Sequence, residues 1–299
     1  MILSPSGETD DMHETLKHKE CDAVLTNRDF TRLSRLIYEE SGIKMPVAKK
    51  QMIEARLGKR LKSLGFHSFG AYCDYLFSSE GLDQELIGMI DLITINKTDF
   101  FRESAHFDYL LQRVLPEWVQ EQKSLYCRKL RVWSAGCSTG EEPYTLAMTL
   151  NEFADKLPGF DYRIMATDLS TRVLEKAKLA VYDDERVTPI PQLLKKKYLL
   201  RSRNRSSGLV RIVPELREKV HFRRLNFMDD DFGIHESFDI IFCRNVVIYF
   251  DRPTQERLLK RFYAHLTKEG FIFMGHSETL NGLDVPLVMV HPTVYRKKR

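Results

Sequence analysis

The chain has 299 residues, with 46 Lys and Arg against 42 Asp and Glu for a formal charge of +4. That length suits one large domain joined to a smaller one. So slight an excess of positive charge excludes a chain that wraps nucleic acid along its whole length, yet leaves room for one concentrated basic face. Apolar residues at 43%, charged residues at 29% and a modest 15 Gly and 11 Pro describe an ordinary folded chain, neither low-complexity nor collagenous.

Residues 1–24 are polar and mixed in charge, and read as a flexible leader without the apolar core of a secretory signal. From Thr26, Phe30, Leu33, Leu36 and Ile37 fall at helical spacing and the pattern stops at Gly42. Val47, Met52, Ile53, Leu57, Leu61 and Leu64 repeat it up to Gly65. "SFGAYCDYLFSSEG" and "LDQELIGMIDLITI" continue in the same period, so residues 25–95 predict a small all-helical domain. Residues 96–128 form a linker that carries "NKTDFFRES" and a further helix-like stretch.

From 129 to 299 the pattern changes. "KLRVWSAGCSTGEEPYTLAMTL", "YRIMATDLSTRVLEKAKLAVY", "FDIIFCRNVVIYF", "RPTQERLLKRFYAHL" and "GFIFMGHS" alternate apolar strands with helices. That alternation predicts a mostly parallel, Rossmann-like α/β sheet with helices on both faces. Residues 190–223 break the rhythm, with short strand candidates at 198–201, 209–213 and 220–223, and predict an inserted small antiparallel β subdomain. Five cysteines form no C-x-x-C pair, which points to a reducing cytoplasm, and no window approaches 18 uninterrupted apolar residues.

The chemistry gathers at strand ends. "SAGCSTGEEPY" sets Gly136 and Gly140 around a tight turn before a helix, but lacks both the G-x-G-x-x-G run and the G-K-[ST] ending of phosphate-binding loops. Glu141 and Glu142 would repel a pyrophosphate and suit an ammonium or sulfonium. Asp168 stands just past the next strand, where a carboxylate accepts two hydrogen bonds from a ribose diol. Together these features favour S-adenosylmethionine over NAD, FAD or ATP. In the linker, Arg102 offers a guanidinium fork suited to a carboxylate. Tyr249, after the strand that ends in Cys243, Arg244 and Asn245, has a hydroxyl able to orient a methyl group or an attacking oxygen. Cys243 has no neighbouring histidine or general base, and reads as a packing residue rather than a nucleophile.

Five blocks, "NKTDFFRE", "STGEEPY", "MATDLS", "LNFMD" and "FCRNVVIYFD", occur in an order and at distances that resemble the CheR family of chemotaxis receptor methyltransferases, over about residues 25–295. The resemblance implies an S-adenosylmethionine-dependent methyltransferase domain with a β insertion, preceded by a helical domain. The implied reaction moves the methyl group to glutamate side chains of chemoreceptors, giving a methyl ester and S-adenosylhomocysteine. Carried over by motif, Asn96, Thr98 and Arg102 lie over the donor, Glu141 or Glu142 or both meet its methionine end, and Asp168 meets its ribose. Asn226 and Phe227 surround the adenine, and Cys243 and Arg244 line the same pocket through local backbone geometry. Arg102 and Tyr249 resemble the family residues beside the transferring methyl, and no metal is implied.

Lys44 to Lys62 holds seven basic residues and one acid, Glu54, a local balance of +6. Lys49, Arg56, Lys59 and Arg60 share one helix face and suit an acidic coiled-coil substrate, in keeping with the matching family helix and the cytoplasmic helices of methyl-accepting chemoreceptors. Some family members also dock a receptor's C-terminal peptide at the insertion. Here "LRSRNRSSGLVRIV", with Arg201, Arg203, Asn204 and Arg205 before Gly208, departs from that pattern, which favours recognition through the methylation helices. A monomer that neither binds nucleic acid nor enters the membrane is expected. A nucleic-acid methyltransferase is the competing enzyme class, and it lacks both an N/D-P-P-Y-type signature and a Pro-Cys nucleophile. A non-catalytic donor-binding adaptor is the other alternative, opposed by Arg102, Asp168 and Tyr249.

Overall fold

The computed structural model describes residues 24–94, 96–122 and 128–298, so nearly all of the leader expected at 1–24 lies outside the described residues. Four helices build the first domain: α1 (Asn27–Ser41), α2 (Lys50–Ser63), α3 (Phe69–Leu76) and α4 (Ser79–Ile93). Thr26, Ser68 and Ser78 cap three of them by accepting a backbone N–H from inside the first turn. The apolar positions at helical spacing meet in one core that includes Leu33, Ile37, Ile53, Leu57, Tyr72 and Ile93. Gly42 ends α1 in the left-handed region at φ +71, and a Cβ there would stand 2.7 Å from Met228 Sδ. Glycine therefore lets the helical domain press directly onto the next one.

Two residues expected on a free basic face spend their guanidinium donors within the domain while staying partly exposed. Arg56 donates to the carbonyls of Leu92, Ile93 and Thr94, completing the C-terminus of α4. Arg60 forms a fork with Glu85, whose carboxylate is buried and also accepts from the Tyr72 hydroxyl at 3.0 Å. A buried carboxylate needs such partners, and the nearest guanidinium supplies them.

The linker continues as α5 (Ala105–Tyr109), a π turn (Leu110–Val114) and α6 (Leu115–Glu121). The second domain then alternates β1 (Leu130–Ala135), α7 (Glu141–Ala154), β2 (Tyr162–Asp168) and α8 (Thr171–Leu179). Next come β3 (Val181–Asp183), α9 (Gln192–Tyr198), β4 (Leu199–Arg201), β5 (Leu209–Ile212), α10 (Pro214–Arg217) and β6 (Val220–Arg224). β7 (Phe238–Cys243), α11 (Arg252–His265), β8 (Leu266–Met274), β9 (Leu287–His291) and β10 (Val294–Lys297) complete it. The main sheet runs β6-β2-β1-β7-β8-β10-β9, parallel through β8 and antiparallel at its last two pairings. All six residues of β7 are buried, as expected of a strand covered on both faces. Successive residues serve opposite cores: Val132, Ile240 and Phe273 pack towards α7, and Trp133, Ile241 and Ile272 towards α11.

The insertion is a three-stranded antiparallel sheet ordered β3-β5-β4. It differs from the sequence expectation at both ends. Val181–Asp183 belongs to it, because the chain leaves α8 through Ala180 at φ +54 and runs straight into a pairing with β5. Val220–Arg224 belongs to the main sheet, where it pairs in parallel with β2 from Ile164 to Asp168. The strands β9 and β10 have no counterpart in the sequence reading, since exposed Val288, Met289 and Val290 show no alternation between a dry and a wet face. Among the described residues no helix is long and apolar enough to cross a membrane.

Arg60→Ala would leave Glu85 buried with the Tyr72 hydroxyl alone. Because Arg60 is itself 35% exposed, the expected cost is about 2 kcal/mol, below that of breaking a fully buried pair. The measurement is the urea midpoint of the full chain, and a midpoint equal to the parent's would show that the pair contributes nothing.

Candidate functional site

The C-terminal ends of β1, β2 and β7 open into one cavity of about 110 Å³ walled on its far side by the helical domain. The turn after β1 is built for close approach. Gly136 has φ +85 and an added Cβ would meet Val246 Cγ2 at 2.4 Å, while Gly140 at φ +97 would strike the Tyr182 hydroxyl at 2.8 Å. Ser138, also in the left-handed region at φ +49, donates its hydroxyl to the Asn96 carbonyl at 2.9 Å and its backbone N–H to Asp168 at 2.8 Å. Asn245 in the lining, and Phe101 and Glu103 on either side of the lining residue Arg102, are further non-glycine residues of positive φ, a clustering typical of functional sites.

Asp168 ends β2 with Oδ1 accepting from the Ser170 N–H and Oδ2 from Ser138. Burial raises its carboxyl above the ordinary value, and those backbone donors pull the other way. Glu142 is buried in the first turn of α7, where one oxygen accepts from Ser134 Oγ at 2.7 Å and the other from Arg244 Nε at 2.7 Å. Arg244 also donates to the Arg102 carbonyl at 2.7 Å and lies over the rings of Phe107 and Phe242. Its guanidinium thus fastens the linker to the sheet.

The other residues singled out in the sequence divide clearly. Asn96, Thr98, Arg102, Glu142, Asp168, Asn226, Phe227, Arg244 and Tyr249 all line the cavity. Asn226 does so with its amide bound elsewhere, donating to the Glu40 carbonyl at 2.6 Å and accepting from the Met228 N–H. Glu141 does not line it. Its buried carboxylate turns away to Thr139 Oγ1 and Arg186 Nη2, so only Glu142 faces the space. Cys243 is absent from the lining too. It is fully buried in the core beneath, its thiol pushed well up by burial, in line with a packing role. The next residues, Asn245 and Val246, take the lining positions expected of it. The strand runs one step deeper than an apolar pattern can reveal.

Lys49 lines the cavity as well, its ammonium 5.3 Å from the centre of the Tyr249 ring. Lys59 lies instead in a separate cleft of about 940 Å³ between α2 and α8, which Arg56 and Arg60 line with it, opposite Arg172, Lys176 and Arg186. Two contacts clamp the helical domain over the cavity near Tyr249: the Tyr38 hydroxyl donates to Asp251 at 2.6 Å, and the Lys44 N–H to the Tyr249 carbonyl at 3.0 Å. On the opposite side Asp91 caps α8, accepting from the Thr171 N–H and hydroxyl.

Residues 28–94 match the family model for the CheR methyltransferase all-alpha domain, and residues 96–295 that for the CheR methyltransferase SAM binding domain. This chain belongs to the CheR methyltransferase family. It is 40% identical over 274 residues to a chemotaxis protein methyltransferase of Borreliella burgdorferi, covering 91% of this chain and 95% of that protein. It is 41% identical over 272 residues to chemotaxis protein methyltransferase 2 of Pseudomonas aeruginosa, covering 90% and 93%. The Escherichia coli chemotaxis protein methyltransferase is 38% identical over 272 residues, 91% of each chain. The family's cofactor, S-adenosylmethionine, is the one favoured by the glycine turn and its acids.

The motif blocks of the CheR family leave one buried group unmentioned. His106 accepts from Arg244 at Nδ1, 3.2 Å, which places its proton on Nε2, 2.8 Å from Thr293 Oγ1. Glu103 and His276 stand close enough to share a metal with it, but the guanidinium already occupies the cation position. Burial, and then the Arg244 charge, push the His106 pKa down to about 4. The unfolded chain, with an ordinary value near 6.5, takes up the proton first. The stability held by the neutral ring is therefore complete above about pH 6.5 and is lost as the pH falls towards about 4. Its ring resonances are expected to stay flat by NMR from about pH 8 to about pH 5, and a titration inside that interval would contradict the assignment.

Proposed function

We propose that this CheR-family chain transfers the methyl group of S-adenosylmethionine to glutamate carboxylates of chemoreceptor cytoplasmic helices, giving methyl esters and S-adenosylhomocysteine. The observation that carries this reading is the polarity of the cavity. Its lining holds Asp168, which has no cationic side-chain partner among the described contacts, and the buried Glu142–Arg244 pair, with exposed Lys97 and half-buried Lys49, Arg102 and Tyr249 lining it as well. The Asp168 carboxylate suits the ribose of a cationic donor, and the free cations Lys49, Lys97 and Arg102 draw an anionic acceptor.

The residues present fit the donor. Asp168 has lone pairs left for a ribose diol, Gly136 lets Val246 pack directly against the turn at the cavity wall, and Asn245 and Val246 complete that wall. When bound, S-adenosylmethionine supplies a sulfonium-activated methyl carbon, taken by a carboxylate oxygen as the C–S bond breaks and a neutral thioether leaves. A glutamate side chain with an ordinary pKa near 4.3 is already ionised at neutral pH, so the protein needs no general base and supplies position instead. In this reading Arg102 and Lys49 hold the acceptor carboxylate by one oxygen and leave the other free to react. The Tyr249 hydroxyl, whose pKa burial raises, stays protonated and donates beside them. The helical domain therefore contributes to the reacting mouth as well as to its cover. Lys59, Arg172 and Lys176 in the α2–α8 cleft suit the acidic flank of a receptor helix, and the reading needs no tail peptide at the insertion.

The test is transfer of labelled methyl to purified receptor cytoplasmic fragments, with release of the label by mild base as expected of an ester. Label fixed on nucleic acid, or stable to base, would sink the proposal. Arg102→Ala is expected to lower kcat on the order of 100-fold through misplacement of the acceptor, with donor affinity measured separately by calorimetry. Tyr249→Phe should cost about tenfold, and full retention of rate would leave only its ring as a contributor. Reversing Lys59 and Arg172 to Glu should raise KM for receptor fragments and flatten its salt dependence. An unchanged KM at low ionic strength would remove the cleft from the docking path.

A further inference from the structure

The loop after β7 carries Asn245, Val246 and Tyr249 into the cavity, yet it has no ladder partner. Asn245 stands in the left-handed region at φ +59 and only a short 3₁₀ turn, Val247–Tyr249, follows. Its amides converge on one buried side chain from the loop after β8. Glu278 Oε1 accepts from the N–H of Val246 at 2.8 Å and of Ile248 at 3.3 Å, and Oε2 from the N–H of Asn245 at 2.8 Å and of Gly275 at 2.6 Å. Glu278 is 3% exposed and does not line the cavity. Four donors on one carboxylate use both its oxygens fully, and only the acceptor-only ionised form receives them all without an O–H pointed at an N–H. Gly275 marks how closely the two loops meet, since a Cβ there would lie 2.8 Å from the Asn245 nitrogen and 2.9 Å from Glu278 Oε2.

We propose that Glu278 is a positioning residue for methyl transfer: it holds the Asn245–Tyr249 backbone in the shape that presents the donor wall and the Tyr249 hydroxyl, without touching either reactant. The inference rests on the donor-site reading above, and half of its test needs no receptor. Glu278→Gln keeps the shape of the side chain but turns an NH2 towards two backbone donors. Expected is a loss of donor affinity of about tenfold or more, from the charge-assisted bonds removed, with a parallel fall in the single-turnover rate at saturating donor. Glu278→Asp, which keeps the charge on a shorter arm, should recover part of both. A purely structural role would lower the melting temperature and leave donor Kd and single-turnover rate of the folded protein unchanged. That result would overturn the proposal. The unmodified chain gives an independent check by hydrogen exchange without donor. The Asn245, Val246, Ile248 and Gly275 amides should exchange slowly, and exchange as fast as an exposed loop would also overturn it. Because donor affinity is measured without any acceptor, the result decides on Glu278 whichever substrate the enzyme methylates.

Discussion

The buried guanidinium of Arg244 is the contact on which the rest of the site depends. It pairs with Glu142 from α7, donates to the Arg102 carbonyl of the linker and to His106 of α5, and lies over Phe107 and Phe242. A lysine ammonium in its place could not reach three directions from one plane. Without it Glu142 would be a buried charge with a serine hydroxyl as its only partner, a costly state. The same contact explains how Phe101 and Glu103 persist at positive φ, because the surrounding bonds over-determine that stretch of linker. Linker, α5, α7 and the β7 loop are therefore tied together by one side chain.

Around that side chain the charges are sorted by depth. Glu141, Glu142 and Glu278 are buried and internally satisfied, Glu103 Oε2 has only the Arg244 charge 3.6 Å away, and Asp168 keeps spare acceptor capacity. Cations at the mouth remain free of carboxylate partners, Arg102 bonding only the Lys97 carbonyl among the described contacts. A slight excess of positive charge in the whole chain thus resolves locally into free cations lining one cavity beside a buried, compensated ion pair.

Much of this was legible in the sequence because it is local. Helix periods, the glycine stops at Gly42 and Gly65 and the alternation of strand and helix located the helical domain and the sheet, and five short blocks named the chemistry. What was not legible depends on contacts across the chain. Periodicity places Arg56 and Arg60 on one helix face, but whether that face meets solvent or α4 is decided by a helix some 30 residues on. Adjacent Glu141 and Glu142 look equivalent until Arg186 and Arg244 pull them to opposite sides. The step from Cys243 to Asn245 turns on where β7 stops, and an all-apolar strand gives no signal of its own end. The role of Glu278 needs a loop fold that joins residues 30 apart. The boundary of the insertion escaped for a similar reason, since Val220–Arg224 and Val181–Asp183 are both too short to declare which sheet they enter.

The two-sided clamp of the helical domain has a thermodynamic meaning beyond geometry. Glu40 through Asn226, Tyr38 through Asp251 and Asp91 through Thr171 join, at a set spacing, two bodies that both line the cavity. Any ligand that fills the space binds the docked arrangement and not the undocked one, so its binding free energy is shared with domain docking by linkage. On the proposed reading, in which the methyl donor fills this cavity, the donor acts as a cohesive element, and its supply sets how tightly the helical domain is held as well as how fast methyl is transferred.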